Sequence, residues 1–312
     1  MVVKYLFGPV PSRRLGISLG VDLVPHKVCT LNCVYCEVGR TTLLTLERKE
    51  YVPIDAVIAE LDEYLRQDPE LDFITFSGQG EPTLNSGLGK VINHIKANYP
   101  RYKVAILTNG TLFWDISLRQ EVMRADVLLP DLDAVSQSVF QKLNRPHQDL
   151  DNARIIAGLK ELRQEFPGKI YMEVFMVEGL NDTESELALL RETLLMLKPD
   201  IVQLNTLDRP GTESWVQPMP RARLNQIAQY FAPLKVDIVA IPQSRKKIQS
   251  FNTDIQTQIL ETIKRRPSTD TDLCQILDLH KNELNKYLGT LLESGEIESL
   301  EMERGTFFRI RE

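Results

Sequence analysis

Hydrophobic positions in this 312-residue chain form short runs and helical stripes that alternate from about residue 17 to residue 239. The first run, Ile17-Ser-Leu-Gly-Val21-Asp-Leu23-Val24, alternates and predicts a strand. After Pro53, the apolar positions Ile54, Val57, Ile58, Leu61 and Leu65 recur at helical spacing, and 71–76 reads as a short buried strand. A helix over 88–97 and a strand over 103–107 repeat the theme. Further strands are predicted at 127–129, 170–177, 201–204 and 236–239, with helical stretches near 117–124, 150–166, 183–197 and 221–231. Strands alternating with helices of this length imply parallel neighbours joined by right-handed crossovers, so the fold class is α/β, as an open sheet or a barrel.

The pattern changes near the end. Pro242-Gln-Ser-Arg245-Lys246-Lys247 is polar and basic, and 243–251 reads as a linker between a first domain at 1–242 and a second at 252–312. Ile255, Ile259, Leu260 and Ile263 mark one helix of the second. Pro267-Ser-Thr-Asp270 caps another carrying Leu273, Ile276 and Leu277, and Leu284, Leu288, Leu291 and Leu292 mark a third. A hairpin of 297–302 and 306–310 closes around Arg304-Gly305. Three helices and a hairpin in this order resemble a winged helix-turn-helix. That fold often reads DNA, yet residues 252–312 hold 8 Lys or Arg against 12 Asp or Glu, and the third helix offers only Lys281 and Lys286. A phosphate-binding surface should be basic, so the charge favours protein contact or substrate presentation over duplex binding. Cys274, on an apolar helix face, reads as a buried thiol.

Composition adds limits. A hydrophobic content of 43% is ample for a buried core, and a net charge of −6 gives no overall field for coating nucleic acid. No segment approaches the ~18–20 apolar residues of a membrane span, and the run after Met1 is too short for a signal peptide. The expectation is a cytoplasmic protein without a membrane partner.

Chemistry concentrates in Cys29-Thr-Leu-Asn-Cys33-Val-Tyr-Cys36, which holds three of the four cysteines. Three thiolates on a tight loop can hold three irons of a cubane, whereas a ferredoxin-type cluster takes four, so one iron is left open. A closed zinc site using His26 with the same cysteines is the alternative. Disulfides are disfavoured without a secretory signal. Polar residues gather where the predicted strands end, as at a barrel mouth. They are Ser77-Gly78-Gln79-Gly80-Glu81-Pro82, Thr108-Asn109-Gly110, Pro130-Asp131-Leu-Asp133, and Gln203-Leu-Asn205 followed by Asp208-Arg209. The first three have a plainer reading as a tight turn or helix cap, above all Asp133 as the cap of a helix beginning at Ala134. Arg13 and Arg14, just before the first strand, suit a carboxylate or phosphate. Glu173 stands between apolar neighbours within a strand.

C-x3-C-x2-C with Tyr35 before the last cysteine, together with Phe7-Gly-Pro-Val-Pro-Ser-Arg-Arg-Leu-Gly and Phe76-Ser-Gly-Gln-Gly-Glu-Pro-Thr-Leu84, resembles the radical S-adenosylmethionine (SAM) superfamily. Within it, the chain is similar to a group of Fe-S oxidoreductases related to the tRNA wyosine-synthesising enzymes. The resemblance covers most of residues 5–240. It implies a partial barrel of six strands and six helices, one 4Fe-4S cluster on Cys29, Cys33 and Cys36, and SAM chelating the open iron. Reductive cleavage of SAM would yield a 5'-deoxyadenosyl radical that takes hydrogen from a substrate. Implied SAM contacts are Tyr35, Gly78, Gly80, Glu81, Asn109, Asp131, Asp133 and Asn205. Arg13, Arg14, Glu173, Gln203 and Arg209 fall on the substrate side, with Arg145 and His147 in a nearby loop. A flavodoxin- or ferredoxin-type donor is implied, and the substrate is left open between a tRNA base and a protein side chain. Wyosine synthesis needs a second cluster, and only Cys274 remains for one. An iron-sulfur-sensing DNA-binding regulator is the reading from another class.

Overall fold

The structure, a computed structural model, describes residues 4–12, 14–239, 255–279 and 281–311. Arg13, the linker 243–251 and the residues flanking it lie outside the described residues, as does the side chain of Lys286. In chain order the first part comprises β1 Leu6–Ser12, β2 Gly16–Val21, β3 Val28–Cys29, β4 Leu43–Leu44, α1 Ile54–Leu65, β5 Phe73–Phe76, α2 Leu88–Asn98, β6 Lys103–Thr108 and α3 Ile116–Val122. It continues with β7 Val127–Pro130, α4 Gln137–Asn144, α5 Asn152–Glu165, β8 Lys169–Phe175, α6 Glu184–Leu197, β9 Ile201–Asn205, α7 Arg221–Tyr230 and β10 Val236–Ile238.

One eight-stranded sheet runs in the order β1-β2-β5-β6-β7-β8-β9-β10. From β2 to β10 every pairing is parallel, giving seven parallel strands, one for each strand the hydrophobic pattern predicts and one more than the six the resemblance implied. The additional edge strand β1 pairs antiparallel with β2 through a register shift between Phe7 and Val10. Its Gly8-Pro9 and Pro11 hide it from pattern reading, but an edge strand tolerates residues that donate nothing to a ladder. β1 and β10 are the two ends of the sheet, which is therefore an open arc. Buried side chains such as Val57, Leu61, Val91, Ile92, Leu159, Leu190 and Leu194 of the helices cover it, so β7, Val-Leu-Leu-Pro, is buried at every position.

α4 begins after an N-cap at Ser136, so Asp133 caps nothing, against expectation. Side chains do cap α5 and α6, with Asp151 accepting from Arg154 N and Thr183 from Glu186 N.

The tail holds α8 Ile255–Arg265, β11 Ser268–Thr269, α9 Asp270–Leu277, α10 Lys281–Glu293, β12 Ile297–Met302 and β13 Gly305–Ile310. The predicted hairpin is joined by β11, a strand not anticipated, in the order β11-β13-β12. Thr269 and Asp272 form a capping box that starts α9. Ile259, Leu273, Leu284, Leu288 and Phe308 build the tail core, and Val10 of β1 packs into it.

Ion pairs complete the docking. Arg265 bonds Asp22 at 3.1 Å, just beyond β2. Arg304 reaches Asp208 at 3.4 Å and Asp272 at 2.7 Å, while Arg209 reaches Asp272 at 3.5 Å. The tail thus spans from the end of β2 to the loop after β9. No described helix is long and apolar enough to cross a membrane.

Candidate functional site

A cavity of ≈ 230 Å³ lies at the carboxyl ends of the parallel strands. The loop after β2 supplies Lys27, Cys29, Cys33, Tyr35 and Cys36; the turn after β5 supplies Ser77, Gly78, Gly80 and Glu81. Leu107, Thr108 and Asn109 come from the end of β6, Asp131 from β7, Glu173 from β8 and Arg14 from the β1–β2 turn. Residues from this many strand ends share one cavity because the sheet curves around it.

The cysteine loop is fixed from several sides. β3 pairs with β4, and Asn32 N donates to the carbonyls of Asn144 and Arg145 at 3.0 and 3.1 Å. Asn144 Nδ2 lies 3.5 Å from Cys33 Sγ, and Asn109 Nδ2 lies 3.5 Å from Cys29 Sγ. All four cysteines are free thiols. Burial pushes the Cys29 thiol up to about 11, with Lys27 pulling it back, and pushes Cys33 well above its ordinary value. Thiols held protonated by burial release their protons when a cation supplies compensating charge.

At Gly78 and Gly80 the backbone passes so close to its neighbours that a side chain is excluded. A Cβ on Gly80 would sit 2.2 Å from the Val28 carbonyl oxygen, and Gly78, at φ +112°, faces Asp22. Glu81 is 2% exposed and is the brace of this turn. Its Oε1 accepts from Thr83 N at 3.0 Å and from the Thr83 and Thr108 hydroxyls at 2.6 Å, and its Oε2 accepts from Asn109 N at 2.8 Å. Burial raises the Glu81 pKa, while the donors from Thr108, Thr83 and Asn109 oppose that shift.

Deeper in the cavity, carboxylates crowd. Burial, then the Glu173 and Asp133 charges, pushes Asp131 well above the usual carboxylate range. Glu173 is ion-paired with Arg14 and accepts from Asn205 Nδ2 at 2.9 Å.

The expected site residues sort accordingly. Cys29, Cys33, Cys36, Tyr35, Gly78, Gly80, Glu81, Asn109, Asp131, Arg14 and Glu173 meet at the cavity. Asp133 and Asn205 do not line it. Asp133 accepts from the Tyr35 hydroxyl, from Asn144 Nδ2 at 2.7 Å and from Phe175 N at 2.8 Å, and burial outweighs these donors to push its pKa up to about 6. It pins the Tyr35 ring, which stacks on Phe175 with centroids 3.9 Å apart. Gln203 faces a separate cleft of ≈ 620 Å³, shared with Arg14, Arg221 and Asp237. Arg209 turns away to Asp272 of the tail. Arg145 pairs with Glu213 at 2.6 Å and lines an outer groove with His147. His26 is exposed and outside the lining of the cavity, and among the described residues no three His, Cys, Asp or Glu side chains gather closely enough for one metal ion. A closed Cys3His zinc site is therefore not what the structure presents.

Sequence reasoning passed over Lys27. Its ammonium lies 2.9 Å from Cys36 Sγ. Burial favours loss of its proton, but the facing Cys36, Cys29 and Cys33 charges outweigh that and hold its pKa above the ordinary lysine value. Position two before the first cysteine was the available signal. Glu37, which follows the last cysteine of the loop, accepts from the backbone N–H of Asp208 and Arg209 at 3.0 and 3.2 Å, tying the cysteine loop to the loop that docks the tail.

A family model described as the Radical SAM superfamily matches residues 23–192. The chain is 32% identical over 297 residues to a UPF0026 protein of Helicobacter pylori (strain J99), covering 94% of this chain and 93% of that protein. It is also 32% identical over 297 residues to the GTPase Obg of Brachyspira hyodysenteriae, but spans only 43% of that relative's length. A solved radical SAM methyltransferase from Sphaerobacter thermophilus is similar in fold, with a TM-score of 0.56 at 18% identity over 71% of this chain and 65% of that one.

Proposed function

Since the chain belongs to the radical SAM superfamily, whose members use a 4Fe-4S cluster and SAM, we propose that Cys29, Cys33 and Cys36 hold three irons of a single such cluster. The observation that carries this reading is that these cysteines and the Gly78–Glu81 turn, far apart in sequence, line the same cavity. The donor set suits a cubane with one iron left to a ligand, because the loop brings three sulfurs and no fourth. With both cofactors bound, the cluster supplies one electron and SAM the carbon–sulfur bond whose cleavage gives a 5'-deoxyadenosyl radical for hydrogen abstraction.

The chain's own residues hold and orient. The backbone at Gly78 and Gly80, pressed against Asp22 and Val28, borders the cavity where the SAM amino group would sit, and Glu81 keeps that turn in shape. Asp131, whose charge burial disfavours, lines the cavity, and Tyr35 and Asn109 set the walls. Asp133 acts through Tyr35 and Asn205 through Glu173, so both are positioning residues in this reading.

The substrate is a tRNA base or a protein side chain, and the reductant a flavodoxin- or ferredoxin-type protein. The order α8-β11-α9-α10-β12-β13 supports a winged-helix tail that presents substrate or contacts protein, since acidic residues outnumber basic ones there. That balance weighs against the DNA-binding regulator. Cys274, packed against the tail core, weighs against a second cluster of the wyosine kind. Free cysteines suit a reducing compartment, the cytoplasm.

The test is 5'-deoxyadenosine formation by anaerobically reconstituted, reduced protein given SAM, beside the Cys33→Ala variant. The nucleoside should appear with intact cysteines and be absent from the variant. Equal amounts from both would overturn the assignment.

A further inference from the structure

The Lys27 side chain is 3% exposed, and among the described residues no carboxylate pairs with it. Burying an ammonium without a carboxylate is unfavourable unless other anions compensate. Here the facing groups are sulfurs, with Cys36 Sγ in hydrogen-bond contact at 2.9 Å. The backbone holds the side chain to this place. Lys27 has φ 55°, a left-handed conformation that disfavours residues with a Cβ. Its N–H donates to Gln79 O at 2.6 Å, and its carbonyl accepts from Thr42 N at 3.0 Å and Leu43 N at 3.3 Å. Two segments, the turn at Gln79 and the stretch Thr42–Leu43, thus clamp an unfavourable backbone geometry that aims the ammonium at the sulfurs. Arg14, the other cation lining the cavity, is engaged by Glu173.

We propose that Lys27 sets the reduction potential of the cluster, its fixed positive charge beside Cys36 favouring the state that carries the extra electron. Hydrogen bonds to sulfur, local charge and solvent exposure are the levers by which a protein moves such a potential. The step is one electron from a low-potential donor to the oxidised cluster. No bond forms or breaks, and Lys27 keeps its proton throughout. The inference rests on the cluster reading above, whose failure would show as wild-type protein without iron.

The experiment is a mediated anaerobic redox titration of the reconstituted full chain without SAM, with dithionite as reductant and electron paramagnetic resonance as readout. It compares wild type with Lys27→Arg, Lys27→Gln and Lys27→Met, after iron per chain is measured for each. At a fixed solution potential, the reduced-to-oxidised ratio should fall tenfold or more in the Gln and Met variants, about 59 mV for one electron. The Arg variant should stay near wild type. Gln retains a donor but no charge, so a wild-type potential in Lys27→Gln would overturn the proposal. So would iron loss of equal extent in the Arg and Gln variants, because Lys27 would then be a scaffold for the loop.

Discussion

Replacing Glu81 by Gln separates a structural carboxylate from one that only touches ligand. Each oxygen receives a backbone N–H, Thr83 N at 3.0 Å on Oε1 and Asn109 N at 2.8 Å on Oε2, and Oε1 also accepts two hydroxyls. Hydroxyls can turn round; backbone N–H groups cannot. The amide NH2 of Gln must therefore face one backbone donor whichever way the side chain is placed. A buried N–H left without an acceptor costs about 1–3 kcal/mol, and the remaining bonds lose their charge assistance. Removing a carboxylate whose pKa burial already raises returns part of that. The net expectation is a loss of about 2 kcal/mol, which lowers Tm by roughly 4–8 °C at neutral pH. Protonation of Glu81 in acid is not equivalent, because a carboxyl OH keeps lone pairs that NH2 lacks. Thermal unfolding of the cluster-free protein, followed by circular dichroism, reads the effect without any cofactor. A variant melting with wild type would refute the bracing argument and leave Glu81 as a ligand contact alone.

Gly80→Ala should destabilise by about 2–4 kcal/mol and lower iron per chain, since the added Cβ meets the Val28 carbonyl, which accepts Glu81 N next to Cys29; unchanged melting and iron would refute the close-approach reading. Cys274→Ser should leave iron per chain at the wild-type value, whereas lost iron would mean that the tail supplies a ligand. For the docked tail, a double-mutant cycle of Asp208→Asn and Arg304→Gln, followed by thermal unfolding, should give a coupling of roughly 0.5–2 kcal/mol; additive effects would mean that the 3.4 Å pair contributes nothing to docking.

Local pattern carried much of this protein. The apolar spacing at Ile54, Val57, Leu61 and Leu65 marked α1 to the residue, because an amphipathic stripe is a property of consecutive residues. The cap at Pro267-Ser-Thr-Asp270 was legible for the same reason, and the structure refines it to a box of Thr269 and Asp272. So was the chemistry of the cysteine loop, where three thiols fall within eight residues. β1 escaped because its prolines forbid a central strand, and only the sheet shows that it lies at an edge.

What the tertiary structure alone decided is direction. Glu81, Asp131 and Asp133 are three carboxylates after strands, alike in sequence. The sheet turns Asp131 to the cavity, divides Glu81 between its own turn and the end of β6, and commits Asp133 to Tyr35, Asn144 and Phe175 N, residues scattered from 35 to 175. Arg209 belongs by position to the mouth but is drawn to Asp272, a partner in the tail. Lys27 looks like a surface lysine until Gln79, Thr42 and Leu43 clamp its backbone and point it at sulfur. Residue type and spacing determine which chemistry is available. The long-range hydrogen bonds and ion pairs that satisfy buried polar groups determine which residues remain free to perform it.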